Sequence, residues 1–180
     1  MLIGLSFSAH AQVVYGTNNY IQYHIGNLPI VISVPHGGLV VPVSIPDRTC
    51  NSPTTVWDNN TIQIGRLIDT ALFNLTGCRP HLIICNLRRT KIDCNRNLAD
   101  GACSNAQAET AWTEFANYIT TAQATAQNTY TDKTFYIDLH AHGHAIKDLE
   151  LGYGLSGTGL ANTDNVLNSA GYVAVYFCPP

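Results

Sequence analysis

Histidine and aspartate side chains that can bind a metal lie where apolar stretches of the sequence end. His36 follows the apolar run 30–34, and the two glycines after it leave room around the imidazole for a metal ion or a substrate. His140 and His142 follow another apolar run, two and four positions after Asp138. Because residues two apart share one face of an extended strand, these three side chains are predicted to point the same way. The pattern indicates a metal site built from separate strand ends.

Asp58 adds a carboxylate to this set. It lies near the predicted start of a helix, where it can either cap free backbone N–H groups or bind zinc through an oxygen. A metal-bound histidine usually donates its other N–H to a carboxylate, and Asp138 can accept that bond. Simpler interpretations stay open, because His36 can also cap a backbone carbonyl and the histidines after Asp138 can form a solvated run.

An arginine-rich segment follows a further apolar run. Arg88, Arg89 and Arg96 lie within nine residues of one another, and Asn95 adds a neutral donor. A guanidinium group binds a carboxylate through two parallel hydrogen bonds, so the segment predicts an anion pocket. The alternative is a surface turn in which Asp93 pairs with an arginine.

The elements that would position these clusters alternate between strand and helix. Helices are predicted at 54–75, ended by Gly77, and at 105–127. The predicted buried stripe of the second helix consists of Trp112, Phe115, Ile119 and Ala122. Strands are predicted at 20–25, 30–34, 81–85, 135–140 and 172–177. This alternation predicts an α/β fold with a mostly parallel sheet, whose chemistry lies in the loops at strand ends.

Length and charge narrow the class of protein. The chain has 180 residues, which suits one domain with a substantial core. A net charge of −3 gives no basic surface for nucleic acid or for an anionic membrane, and no later apolar run reaches the ~18 residues of a membrane span. Residues 1–11 are predicted to be a signal peptide, with a first buried strand as the alternative. Residues 12–180 would then form a single domain of a secreted, extracellular protein.

Six cysteines and two glycosylation sequons agree with secretion. None of the cysteines forms a C-x-x-C pair, which argues against a structural zinc knuckle, whereas secretion permits disulfide bonds. Cys94 and Cys103 flank a polar loop and are the favoured pair, although six cysteines allow fifteen connectivities. The sequons predict N-linked glycans at Asn59 and Asn74.

Taken together, these clusters resemble the N-formylglutamate amidohydrolase family. The sequence contains VPHGG, a later aspartate, R-x-x-x-D-x-N-R and D-L-H in the motif order of that family, over roughly residues 30–155. The segment IDCNRN at 92–97 is also similar to the substrate-carboxylate segment of the zinc carboxypeptidases. The resemblance implies a three-layer α/β/α fold around a mixed sheet, similar to that of the zinc exopeptidases.

The resemblance also implies a catalytic zinc ion and its ligands. His36, Asp58 and His140 would bind the zinc and leave a fourth position for water. Asp138 and His142 would not bind the zinc themselves but would contact the residues that do. The implied reaction is hydrolysis of an amide bond next to a free carboxylate, in an N-acyl amino acid or a short peptide.

Substrate binding and proton transfer complete the implied mechanism. Arg96 and Asn95 would hold the free carboxylate of the substrate, assisted by Arg89. In these families a glutamate near the C-terminal end acts as general base, whereas nothing acidic follows Tyr172 in this chain. Glu150 is the nearest candidate, and the chain is expected to be a fragment.

Two other functions fit the same residues. One is a secreted, non-catalytic binding or extracellular-matrix protein that keeps the fold and an ion site but lacks the base. The other is a histidine-rich protein that sequesters metal at several weak sites. Zinc stoichiometry separates the second from an enzyme with one tight site. The sequence makes no prediction of the oligomeric state.

Overall fold

A computed structural model describes residues 12–131 and 133–143 of the chain. The chain divides into two compact units; the described residues as far as Ala141 belong to the first, and the second begins at His142. The described part of the first unit contains five strands and three α-helices. These are β1 Val13–Tyr15, β2 Ile21–His24, β3 Ile30–Val34, α1 Thr61–Thr76, β4 His81–Cys85, α2 Leu98–Ala102, α3 Ala106–Tyr130 and β5 Phe135–Asp138.

The five strands form one mixed sheet in the order β1-β2-β4-β3-β5. β3 pairs in parallel with β4 and with β5, whereas β1–β2 and β2–β4 are antiparallel. The mixed α/β class is therefore confirmed. The described strands are not mostly parallel, because β1 and β2 form a hairpin-like pair that adds to β4 in the antiparallel direction.

Side chains alternate along β3 and β4, which divides the core into two clusters. On one face, Val31 and Ile83 belong to a cluster that includes Phe115 of α3. On the opposite face, Ile32 belongs to a cluster against which Ile68 of α1 packs. Because a helix covers each face, every residue of β3 and β4 is buried, as expected for a continuous apolar run.

The two long helices confirm the predicted periodicity and correct one boundary. The predicted helix 105–127 corresponds closely to α3, and its predicted stripe packs on the core. The other helix, α1, begins at Thr61 and not at residue 54, because the chain first makes a turn in which Asn60 takes a left-handed conformation with φ of 64°. Gly77 ends α1 as predicted, with φ of 72°.

Two short elements were not predicted, and two predicted segments lie outside the residues that the structure describes. β1 has three residues and α2 has five, which is too short for a periodic pattern to be recognised. The side chain of Asn97 begins α2 by accepting a hydrogen bond from the Asp100 N–H. The predicted signal peptide 1–11 and the predicted strand 172–177 lie outside the described residues.

Cys50 and Cys103 form a disulfide bond, with their Cα atoms 5.7 Å apart. The predicted pairing of Cys94 with Cys103 is therefore wrong. Cys94 packs instead against the core cluster that contains Cys85, where the two thiols contact each other. The position of Cys94 beside a polar loop did not predict its pairing, because its side chain packs against the core and not toward Cys103.

Two further observations concern the predicted surroundings of the protein. Asn59 and Asn74 are both exposed, so both predicted glycosylation sites are accessible on the surface. Across residues 12–131 and 133–143, no helix combines the length and the apolar character that crossing a membrane requires.

Candidate metal centre

The three predicted ligands converge at one edge of the sheet. A nitrogen of His36, a nitrogen of His140 and a carboxylate oxygen of Asp58 all lie within 4.8 Å of one another, so this group can hold a metal ion. The parallel pairing of β3 with β5, which places Ser33 opposite Asp138, brings the two histidines to the same edge. The structure thus brings together side chains that are far apart in the sequence.

Asp58 is held by the turn between β3 and α1. Its N–H donates to the His36 carbonyl at 3.0 Å, and its own carbonyl accepts a hydrogen bond from Thr61 Oγ1 at 3.0 Å. Gly37 allows this close approach, because a Cβ atom there would collide with Thr61 Oγ1. The cap position of α1 is taken by Asn60. The Asp58 carboxylate does not cap the helix, because it accepts hydrogen bonds from His140 and from the Ala141 N–H.

His36 is buried, and its ring is held firmly from one side. Its Nε2 lies 2.7 Å from Asp93 Oδ1, whereas its Nδ1 faces Asp58 Oδ2 at 3.6 Å. Nδ1 is buried and has no hydrogen-bond partner. An unsatisfied buried polar atom costs about 1–3 kcal/mol, which a ligand at that position would relieve. With Nε2 protonated toward Asp93, the Nδ1 lone pair is available to a metal ion.

His140 repeats this arrangement closer to the solvent. Its Nε2 lies 3.0 Å from Asp138 Oδ2, and its Nδ1 lies 2.8 Å from Asp58 Oδ2. The ring centres of His140 and His36 are 5.0 Å apart. Each ring therefore has its own carboxylate at Nε2 and shares Asp58 at Nδ1, so the two Nδ1 atoms face a common point.

The carboxylates around the histidines are ionised. Burial by itself raises the pKa of Asp58, but hydrogen bonds from His140 and the Ala141 N–H, with the nearby His36 ring, hold that pKa well below its usual range. Burial also raises the pKa of Asp93, but the hydrogen bonds and charges of His36 and Arg89 together outweigh it and lower that pKa. Hydrogen bonds to Asp138 and Asp58 raise the pKa of His140 to about 9. A metal ion bound at His140 Nδ1 would therefore displace the proton that this nitrogen donates to Asp58, so metal binding should weaken at low pH.

Asp93 is a residue of this centre that the sequence did not assign to the metal site. It is fully buried, and its Oδ2 lies 3.1 Å from Arg89 Nε and 3.5 Å from a terminal nitrogen of Arg48. The pairing of Asp93 with an arginine, considered as an alternative, is thus present, and Asp93 also orients His36. The available signal was a carboxylate directly after the buried Ile92, since a buried charge needs a partner.

Two of the three predicted anion-binding arginines are engaged with the protein itself. The guanidinium carbon of Arg88 lies 4.1 Å from the ring centre of Trp57. A terminal nitrogen of Arg89 donates to the Val56 carbonyl at 3.3 Å and lies 3.9 Å from Asp58 Oδ1. Any help that Arg89 gives to a substrate carboxylate would compete with these carboxylates of the protein.

Arg96 has different surroundings. It is exposed, and it lies in the wall of a polar pocket of about 50 Å³ beside the buried Arg48. The other polar side chains in this wall are Asn51, Ser52, Thr54 and Asp100. Among the predicted carboxylate-binding arginines, Arg96 is the one that the structure leaves most accessible.

The remaining predicted site residues fall into three groups. Asn95 and Asp138 adjoin the metal centre: Asn95 Nδ2 donates to Asp138 Oδ2 at 2.5 Å and lies 2.8 Å from His140 Nε2. His142 is exposed and is not one of the three residues that converge. Glu150, the candidate general base, lies outside the described residues.

Comparison with known proteins found no relative of this chain. The chain matches no protein-family model, no curated protein and no solved structure. The resemblance to the N-formylglutamate amidohydrolases therefore stays a prediction from motifs.

Proposed function

We propose that this chain is a secreted, zinc-dependent amidohydrolase, similar to the carboxypeptidases, that cleaves an amide bond next to a free carboxylate. The observation that carries this proposal is the matched orientation of His36 and His140. Each ring is fixed at Nε2 by a carboxylate and presents Nδ1 toward Asp58. Metal-binding histidines are typically oriented in this way by a carboxylate behind the ring.

The donor atoms fit zinc better than they fit a hard cation. Two imidazole nitrogens and one carboxylate oxygen form a ligand set that suits Zn²⁺, whereas Mg²⁺ and Ca²⁺ prefer oxygen alone. The buried and unpartnered Nδ1 of His36 supports this fit, because an ion bound there would satisfy it. Three protein ligands leave a fourth position open, which distinguishes a catalytic zinc from a structural one.

Residues of the chain would prepare this centre for hydrolysis. Zinc, when bound, would polarise the amide carbonyl of the substrate and lower the pKa of a water molecule. Asp93 and Asp138 would keep both rings protonated at Nε2, so each ring would bind zinc through Nδ1, in His140 after release of the Nδ1 proton. His140 is 38% exposed, so the substrate would approach from its side. Arg96 would bind the free carboxylate, as the resemblance implies.

The architecture and the disulfide bond support the rest of the proposal. Helices α1 and α3 pack on opposite faces of the mixed sheet, which agrees with a three-layer, zinc-exopeptidase-like fold. The Cys50–Cys103 bond agrees with a secreted protein, because disulfides persist mainly in oxidising compartments.

One observation favours the second candidate, a secreted binding or extracellular-matrix protein on the same fold. The three carboxylates that contact the histidines, Asp58, Asp93 and Asp138, each accept hydrogen bonds from neighbouring groups. In the described part of the chain, none of them is left free to act as a general base. An intact zinc site without hydrolysis of N-acyl amino acids would establish this candidate over the enzyme.

Metal analysis of single variants tests the ligand assignment. We expect the unaltered protein to bind one zinc per chain, and His36→Ala or His140→Ala to lose it. His24→Ala is the matched control, because His24 lies on β2 and bonds to Gln22 outside the centre. Equal zinc content in all of these proteins would contradict the assignment.

Arg96→Ala tests the substrate class separately from the metal. This variant should keep its zinc, because Arg96 is not one of the converging residues. It should bind N-acyl amino acids more weakly while its affinity for the corresponding uncharged amides stays unchanged, because only the former carry the free carboxylate. An equal loss for both ligands would reject a carboxylate-binding role for Arg96.

A further inference from the structure

The geometry points to Asn95 as a positioning residue that joins the two histidine–carboxylate pairs of the metal centre. Its main chain binds the carboxylate behind one histidine, and its side chain binds the carboxylate behind the other. The inference rests on the proposed metal site. It gives Asn95 a different role from the one that the family resemblance implies, in which this amide binds the carboxylate of the substrate.

The main-chain contact reaches the buried pair. The Asn95 N–H donates to Asp93 Oδ1 at 3.1 Å, and the same oxygen lies 2.7 Å from His36 Nε2. The other oxygen of Asp93 faces Arg89 and Arg48. Because both oxygens have donors on fixed groups, the carboxylate cannot rotate, and the His36 ring is held in one orientation.

The side-chain contact reaches the more exposed pair. Asn95 Nδ2 donates to Asp138 Oδ2 at 2.5 Å, and the same oxygen lies 3.0 Å from His140 Nε2. The other oxygen of Asp138 accepts from Ser33 Oγ at 2.5 Å. Asp138 is 28% exposed at the end of a strand, so it has fewer fixed neighbours than its buried counterpart. The Asn95 amide is therefore a principal restraint on Asp138 at Oδ2.

These two contacts make one residue responsible for the spacing of the two metal-binding nitrogens. A tetrahedral site needs both Nδ1 atoms at about 2.0–2.1 Å from the ion, so small rotations of either ring weaken binding. The Nδ2 group of Asn95 donates to Asp138, so it is occupied within the protein. A substrate carboxylate would have to displace it from Asp138.

Zinc affinity and the visible spectrum of the cobalt(II)-loaded protein test this role. Asn95→Ala removes the side-chain contact and keeps the main-chain one, so we expect zinc affinity to fall about 10- to 100-fold, as for other residues behind a metal ligand. The cobalt spectrum, which reports ligand geometry, should change. Asn95→Asp should lose at least as much affinity, because its carboxylate would repel Asp138. Asn95→Gln keeps an amide donor and should recover part of the loss.

Asn97→Ala is the matched control. Asn97 lies in the same exposed segment, but its side chain bonds to Asp100 at the start of α2 and not to the histidine pairs. It should keep the zinc affinity and the cobalt spectrum of the unaltered protein. Circular dichroism of each variant confirms that the fold is retained before the affinities are compared.

The possible results separate this inference from the proposed function. If Asn95→Ala retains full zinc affinity and an unchanged cobalt spectrum, the positioning role is wrong and the metal centre stands. A loss confined to the binding of carboxylate ligands would return Asn95 to the substrate site and would also overturn the inference. If the unaltered protein binds no stoichiometric zinc, the proposed function and this inference fail together.

Discussion

The two histidine–carboxylate pairs have the same geometry and different surroundings. The side chains of His36 and Asp93 are 1% and 0% exposed, whereas those of His140 and Asp138 are 38% and 28% exposed. In the inner pair, His36 follows β3, an internal strand of the sheet, and Asp93 follows its neighbour β4. The outer pair lies at the end of β5, the last strand in the order of the described sheet.

This difference separates two tasks that a metal centre must perform. A buried pair is screened little by water, so it fixes one ligand but is costly to disturb. A partly exposed pair contributes less to stability because solvent screens it, and it can face an incoming substrate. We infer that the inner pair anchors the centre and that the outer pair determines access to it.

Substituting the two carboxylates should therefore have unequal effects. Asp93→Asn leaves the buried guanidinium of Arg48 without its opposing charge, so we expect the free energy of unfolding to fall by about 3–5 kcal/mol. Asp138→Asn, at a partly exposed position, should cost about 1 kcal/mol or less. Urea denaturation with a chelator present measures both values without a contribution from bound metal.

The two substitutions should not cost the same free energy of unfolding. Equal losses would mean that burial does not distinguish the pairs and that both anchor the fold. Asp47→Asn is a control for the method, because its carboxylate bonds to Lys91 at a highly exposed position. It should leave the free energy of unfolding nearly unchanged.

His81 is buried like His36, but its partner is a hydroxyl group and not a carboxylate. Its Nδ1 lies 2.8 Å from the Tyr23 hydroxyl, and burial lowers its pKa from 6.5 to about 4. The unfolded chain therefore takes up the proton first as the pH falls. The contribution of neutral His81 to the free energy of unfolding is therefore complete above pH 6.5. It is lost as the pH falls from 6.5 through 4, by about 3 kcal/mol in total.

His81→Asn tests this pH dependence. The amide oxygen can accept the Tyr23 hydroxyl bond but does not titrate, so the free energy of unfolding should fall less steeply between pH 6.5 and 4 than in the unaltered protein. His24→Asn is the matched control, since burial also lowers the pKa of His24 but the side chain is only partly buried. A slope that is unchanged in His81→Asn would contradict the assignment of this acid sensitivity to His81.

Much of the frame that holds the centre could be predicted from local sequence. The runs 30–34 and 81–85 are continuously apolar, which is the pattern of a strand buried on both faces, and both strands have the predicted bounds. His36 lies just beyond the end of β3, and His140 lies just beyond the end of the neighbouring strand β5. Their convergence follows from the parallel pairing of β3 with β5, which strand alternation predicts.

The contacts that orient the ligands could not be predicted in this way, because they join residues that are distant in the sequence. Asp93 and His36 are separated by 57 residues, and Cys50 and Cys103 by 53. Hydrophobic periodicity carries no information on such pairs, so the sequence pointed to the wrong partner for Cys103. The role of Asn95 depends in the same way on Asp138 lying across the sheet edge.

Ser33→Ala should have a small effect and addresses the outer pair alone. Ser33 is fully buried, its hydroxyl donates to Asp138 Oδ1 at 2.5 Å, and it also bonds to the Tyr136 hydroxyl at 2.7 Å. Both partners reach solvent, since Asp138 is 28% and Tyr136 41% exposed, so water can replace the lost bonds. We therefore expect a loss of about 1 kcal/mol in urea denaturation. Zinc affinity should fall only a few-fold, because the Asn95 amide still holds the other Asp138 oxygen. A loss of unfolding free energy as large as that of Asp93→Asn would show that the outer pair is as rigid as the inner one. It would contradict the inference that only the inner pair anchors the centre.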